Sequence, residues 1–190
     1  MRDSNRLQRL QQRPLWDFAL ALYAKPGVEH ACLILQDEAG VDVCELLFHC
    51  WLYEHGLAAE PGPLKEIREE RCRWQQQVTA PLRQLRRGLK PQAAQSESIS
   101  TLRKTLQTAE IQAERENLQC WQQWALLSSE QEVSVIKGSI NQHNIAQWLQ
   151  DTLFLLPLDN FSSQAPRVRV DIQSAFLALA SQLDRCESPR

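Results

Sequence analysis

Apolar residues are unevenly distributed along this chain. Between Pro14 and Gly56 they form three nearly continuous helical faces, and beyond Leu64 they thin to stripes at helical spacing. Pro14 suits a first helical position, and Asp17 falls in the first turn, where the helix dipole favours a negative charge. Trp16, Leu20 and Tyr23 then make one face, with Phe18 and Leu22 beside it, until Lys25-Pro26-Gly27 stops the helix. A second helix is expected from Val28 to Asp37, carried by Val28, Ala31, Cys32 and Leu35. A third begins at Asp42 as N-cap and is apolar almost all the way round from Val43 to Tyr53, so it belongs in the middle of a core. Gly56 closes it. Trp16, Phe18, Leu35, Leu47, Phe48 and Trp51 are predicted to be buried together.

From Leu64 a long helix carries Ile67, Trp74, Val78, Leu82, Leu85 and Leu89, and Pro81 predicts a kink or break near Val78. A polar loop, residues 91–98, leads to another long helix, capped by Ser98 or Ser100, with Ile99, Leu102, Leu106, Ala113, Cys120, Trp124 and Leu127 on its stripe. Together they read as an antiparallel hairpin lying on the 14–56 core. Residues 133–140 read as a short strand or an irregular turn. A helix through Ile145 and Leu149 to Leu156 follows, and a last one is expected to be capped by Asp171. The fold class is therefore all-α. The chain divides into a basic, frayed arm (1–13), a helical domain (14–127, with core helices 14–56 and hairpin 64–127) and a C-terminal helical segment (128–190), integrated or appended.

Composition narrows the function classes. Six glycines in 190 residues leave no place for a phosphate-binding loop or a dinucleotide fingerprint, and there is no nucleophile elbow. No span approaches the roughly 18 apolar residues of a membrane helix. The N-terminus, basic and without an apolar run behind it, does not resemble a signal peptide. Cys32, Cys44, Cys50, Cys72, Cys120 and Cys186 include no C-x-x-C pair and read as reduced, mostly core-filling thiols, with Cys186 the most reactive; a cytoplasmic protein is expected. His30, Cys32, Cys44, His49, Cys50 and His55 are zinc-type ligands at spacings that match no zinc motif, and 37–42 resembles a calcium loop only in composition. No metal and no cofactor is expected.

Two constellations remain. On the third helix Asp42, Glu45 and His49 project into one narrow sector, with Tyr53 at its edge. A carboxylate one turn from an imidazole can poise it for acid–base chemistry, and these three are the catalytic candidates. The plainer reading is that the helix meets water there and Asp42 only caps it. The second is Arg83, Arg86, Arg87 and Lys90, at i, i+3, i+4 and i+7 beside the leucine stripe, with Arg103 and Lys104 across the loop. The plainer reading is a solvated surface, since helix C-terminal ends favour cations; as a site, such a stripe suits an acidic protein partner ahead of nucleic acid, because the whole chain carries a formal charge of −2.

Residues 15–52 resemble an uncharacterised family of small helical proteobacterial proteins, a conserved domain of unknown function. The resemblance rests on Leu15-Trp16-Asp17-Phe18, Tyr23 with Gly27-Val28, Leu35-Gln36-Asp37, and Gly40-Val41-Asp42-Val43 followed by Leu46-Leu47. It extends more loosely through Trp74, Pro81-Leu82-Arg83, Leu85-Arg86, Ala109-Glu110 and Ala113-Glu114. It implies a Gram-negative cytoplasmic protein, an all-helical fold and no assigned activity. Asp17, Asp37 and Asp42 fit the family pattern, whereas Cys44 and Glu45 stand where the family tends to have asparagine and leucine. The reading that follows is a non-catalytic interaction or regulatory protein binding a protein partner through the hairpin. The alternative is a small helical enzyme or ligand binder with a pocket among the first three helices.

Overall fold

The computed structural model describes residues 4–136, 142–153 and 166–184, and within them the chain is predominantly helical. The core is built around α4 (Val43–Glu54), in which every residue from Cys44 to Glu54 is buried. α2 (Leu15–Tyr23) and α3 (Val28–Ala39) pack against it on one side, and α8 (Glu97–Leu127) and α9 (Gln142–Leu153) on others. Phe48 is the centre of an aromatic cluster. It stacks on Trp121 at a centroid distance of 4.8 Å and lies 6.0 Å from Trp124 and 6.3 Å from Trp51. Burying side chains of this size contributes about 2–3 kcal/mol each. Of the six residues expected to be buried together, five are; Trp16 is only half-buried, because its ring lies along the wall of a cleft.

Local chemistry sets the entry of α4. Gly40 adopts φ 66°, and the amide of Val41 donates to the Leu35 carbonyl, a glycine-terminated end for α3 that turns the chain sharply. Asp42 is delivered as N-cap, its Oδ1 accepting from the amides of Cys44 (2.8 Å) and Glu45 (3.3 Å), as its position in the sequence predicts.

The hairpin is also present. Its first arm is α5 (Pro61–Trp74), a π-helical turn (Gln75–Thr79) and α6 (Ala80–Gly88). The break expected near Val78 is this π turn: Pro81 has no N–H for the Gln77 carbonyl, and the backbone opens so that the Ala80 amide donates to Gln75, five residues back. Contacts with α8 pair Trp74 with Ala113 and Arg86 with Arg103 and Glu110, so one arm ascends as the other descends. The loop expected at 91–98 is partly a short helix, α7 (Lys90–Ala93), and α8 is capped at Ser96, two residues before the earlier of the two serines expected, since Glu97 already has helical geometry.

Three further expectations are corrected. The supposed frayed arm is a helix, α1 (Ser4–Gln12), held by the fully buried Leu10 and by Arg6, whose guanidinium donates to the carbonyls of Ser128 and Ser129, just past α8, and of Val133 a few residues on. The segment after Gly56, expected as linker, contains strand β1 (Leu57–Ala59), antiparallel to β2 (Val133–Val135) with Leu57 opposite Val135. α10 (Pro166–Ala180) begins before Asp171, which is therefore an exposed interior residue and no cap. α10 packs on α3 and α9, and Ile145, Leu149, Phe176 and Leu179 belong to the same buried cluster as Phe48. Cys32, Cys44 and Cys50 are buried as expected of core thiols, but Cys72 is exposed on α5, and Cys186 lies outside the described residues.

Candidate functional site

Where the hairpin leaves the core, α2 and α3 on one side and α6 and α8 on the other enclose an open cleft of about 500 Å³. Helical spacing decides which side chains reach it. α2 contributes Trp16, Leu20 and Tyr23; α3 contributes Glu29, Leu33 and Gln36; α8 contributes Gln107, Ile111, Glu114 and Leu118. The start of α4 supplies the floor with Asp42, Val43, Cys44 and Leu47, and α6 supplies Arg83, Arg86 and Arg87. Leu20, Leu33 and Ile111 are 54%, 37% and 44% exposed, values that leave three large apolar side chains open to the cleft from both its sides.

The polar side is an arginine–carboxylate network. Arg83 donates through Nε to Glu110 at 2.8 Å and through Nη2 to Glu114 at 2.6 Å, and Arg86 donates to both oxygens of Glu110. Burial pushes the Glu110 carboxyl up, but the two guanidiniums outweigh it and hold Glu110 below the usual carboxylate range. Burial raises Glu114 despite Arg83. Burial and the neighbouring Glu45 charge push Asp42 up to about 6, against its two amide donors and Arg83. Burial also raises Tyr23 to about 12 and holds the Cys44 thiol well above its ordinary range, so neither is an activated nucleophile.

The two constellations read from the sequence meet here in part. Asp42 joins Arg83, Arg86 and Arg87 in the cleft, although they lie on different helices far apart in sequence. Glu45 and His49 do not line it. Their sector was expected to meet water, and instead it is covered where α4, α5 and α9 meet: the Arg68 guanidinium binds Glu45 and donates to the Thr152 carbonyl at 3.1 Å. His49 is fully buried, 6.3 Å from the Trp148 ring and 3.6 Å from Glu45, with no hydrogen-bond partner for either ring nitrogen among the described residues. Burial lowers its pKa below the ordinary value, Glu45 only partly opposing. Tyr53 packs 5.7 Å from the same Trp148 ring.

The basic stripe is also divided. Arg83 and Arg86 are paired with carboxylates, Arg87 is half-exposed with Asp37 3.8 Å away, and Lys90 has passed to α7, where it is exposed and outside the cleft. Asp17 is exposed on the opposite side of α2's buried face. Glu110, Glu114 and Arg68 were not identified from the sequence. Two arginines beside an apolar stripe called for carboxylates on the facing helix, and only the hairpin register identifies which. Among the described residues no group of His, Cys, Asp and Glu is arranged to hold a metal, and no single described helix is long and apolar enough to cross a membrane.

Residues 14–120 match the family described as "Protein of unknown function (DUF2390)", and the chain belongs to that family. Every residue that lines the cleft, from Trp16 to Leu118, falls inside the matched span. No curated protein and no solved structure matches the chain.

Proposed function

We propose that the protein is a non-catalytic binding protein of the cytoplasm, and that the cleft between α2–α3 and α6–α8 is where a protein partner docks. One observation carries this reading: three exposed apolar side chains, Leu20, Leu33 and Ile111, stand against an arginine–carboxylate network in one concave surface. Concave, mostly apolar sites with a few placed polar groups are how proteins hold partners and ligands. Protein is favoured over nucleic acid because Glu110 and Glu114 already neutralise Arg83 and Arg86, leaving little charge for phosphates. The test is a photo-crosslinking amino acid placed at Leu33, with Leu85 on the far side of the hairpin as control. A discrete cellular adduct at Leu33 only supports the reading; equal labelling at both positions, or none at Leu33, overturns it.

A second reading, a ligand binder or enzyme using the same cleft, draws on Asp42, whose carboxyl titrates at about 6 on the cleft floor and is thus suited to exchange a proton near neutrality. Asp42→Asn, which keeps the cap, would then remove the pH dependence near 6 of small-ligand binding or turnover in the cleft while leaving the Leu33 adduct intact.

A further inference from the structure

The charges lining the cleft do not cancel. Each of its three arginines faces a carboxylate: Arg83 binds Glu110 and Glu114, Arg86 binds Glu110, and Arg87 lies 3.8 Å from Asp37, just outside the lining. Two of the four lining carboxylates, Glu110 and Glu114, are thereby engaged. The other two, Asp42 and Glu29, form no ion pair among the described residues. Asp42 has an oxygen to offer, because its Oδ1 accepts from the amides of Cys44 and Glu45 and no donor among the described residues reaches Oδ2. Its lack of a counter-charge shows in its titration, which burial and the Glu45 charge push up to about 6. Glu29 is exposed, one turn before Leu33 on the cleft face of α3. One spare negative charge therefore stands at the opening and one on the floor of a cavity that also presents Leu20, Leu33 and Ile111.

We infer that the cleft takes a basic amphipathic helix of another protein, whose apolar side chains lie on Leu20, Leu33 and Ile111 and whose lysine or arginine side chains reach Asp42 and Glu29. The inference rests on the binding reading above and adds the chemistry of the partner. The floor is reached only past apolar lining, which suits a long side chain with a charged end. The four-carbon stem of a lysine packs on leucine while its ammonium donates to Oδ2 of Asp42. An acidic helix would meet two uncompensated carboxylates, and the arginines that could receive it already face carboxylates of their own. The basic hairpin tip of a second copy is too broad an occupant. It presents two packed helices, about 20 Å across, to a cavity of about 500 Å³, which receives the side chains of one helix face.

A phage-displayed library of random peptides of about 16 residues, roughly four helical turns, is selected on the full chain and counter-selected on Leu33→Glu, with Ile111→Glu as a second counter-target in case the first variant is misfolded. The expected winners carry apolar residues at i, i+3, i+4 and i+7 and a net positive charge. As synthetic fluorescent peptides they lose about tenfold in affinity to Glu29→Gln/Asp42→Asn, in which asparagine keeps the helix cap. Their affinity for the unaltered chain rises as pH is raised through about 6, where Asp42 gives up its proton, and the rise is absent in Asp42→Asn. Winners that are neutral or acidic, or that bind the neutralised variant equally, overturn the basic-helix inference and leave the cleft reading standing. A dimer in sedimentation that Leu33→Glu dissociates overturns it in favour of a second copy. No enrichment over either counter-target overturns the cleft reading itself, and saturable binding of dansylcadaverine in that case assigns the cleft to a small organic cation.

Discussion

The core around α4 and the outer half of the hairpin are both helical, yet they are held together by different physics. In α4 every residue from Cys44 to Glu54 is buried, whereas α6 and α7 bury none, and in α8 burial begins only at Glu110. The core is stabilised by apolar area and aromatic packing, the outer hairpin by guanidinium–carboxylate contacts such as Arg83–Glu110 and Arg86–Glu110 and by helix propensity. Packing of the first kind opens only with the whole fold; contacts of the second kind open locally. The cleft lies on the seam between these regimes, with one rigid wall and one compliant wall, a combination suited to receiving a partner.

The comparison is broken most directly from the core side. Trp51→Ala removes a fully buried ring and the hydrogen bond from its Nε1 to the Arg13 carbonyl. It is expected to cost about 3–5 kcal/mol in urea unfolding; a loss near that of a surface substitution would show that α4 is not the centre of the fold. Glu110→Ala comes next, at about 2 kcal/mol, less than a fully enclosed pair because both arginines keep some solvent contact. Its signature is regional: amide exchange should accelerate in α6 and the start of α8 while α4 stays protected. Acceleration in α4 to the same degree would merge the two regions into one cooperative unit.

Asp42 sharpens the seam itself. An unfolded aspartate titrates near ~3.9, and in the fold burial and the Glu45 charge push it up to about 6. The folded chain therefore holds this proton better, so the stabilisation linked to it is fully present below about pH 4 and is lost as pH rises through about 6. Asn caps a helix as well as Asp. Asp42→Asn should consequently be more stable than the wild type by about 1 kcal/mol at pH 8, with the difference gone at about pH 4. A variant less stable at both pH values would show that the charged cap outweighs burial. Smallest of all, Arg87→Glu should change unfolding free energy by less than about 0.5 kcal/mol, since its pair with Asp37 is long and half-exposed.

Much of this was legible in the sequence because it is local. The Asp42 cap, the turn at Gly40, the proline break and the nearly all-apolar α4 follow from residues a few positions apart. What was illegible depends on distant segments. The sector of Glu45 and His49 looked like a water-facing edge because nothing nearby in sequence announces that Arg68 and Trp148 cover it. α1 looked like a polar arm because its arginines were counted as charge, when Arg6 is a buried donor to three carbonyls between the end of α8 and the start of β2. The strand at Leu57 could not be recognised without its partner at Val135, 78 positions away. The cleft falls between these cases: each helix face was readable, their convergence was not.

The π turn at Gln75–Thr79 has a genetic corollary. Such a turn is an α-helix carrying one residue more than its hydrogen-bond ladder requires, and each residue of a helix advances the side chains by about 100°. Deleting a single codon within Gln75–Thr79 would remove the residue that the wide turn absorbs, so the ladder would return to α spacing, bent only at Pro81, while α6 keeps its rotation about the axis. Arg83 and Arg86 would still face Glu110. One inserted codon at this point is thus tolerated without moving the charged side of the cleft, which the same insertion within α5 or α6 would displace by about 100°.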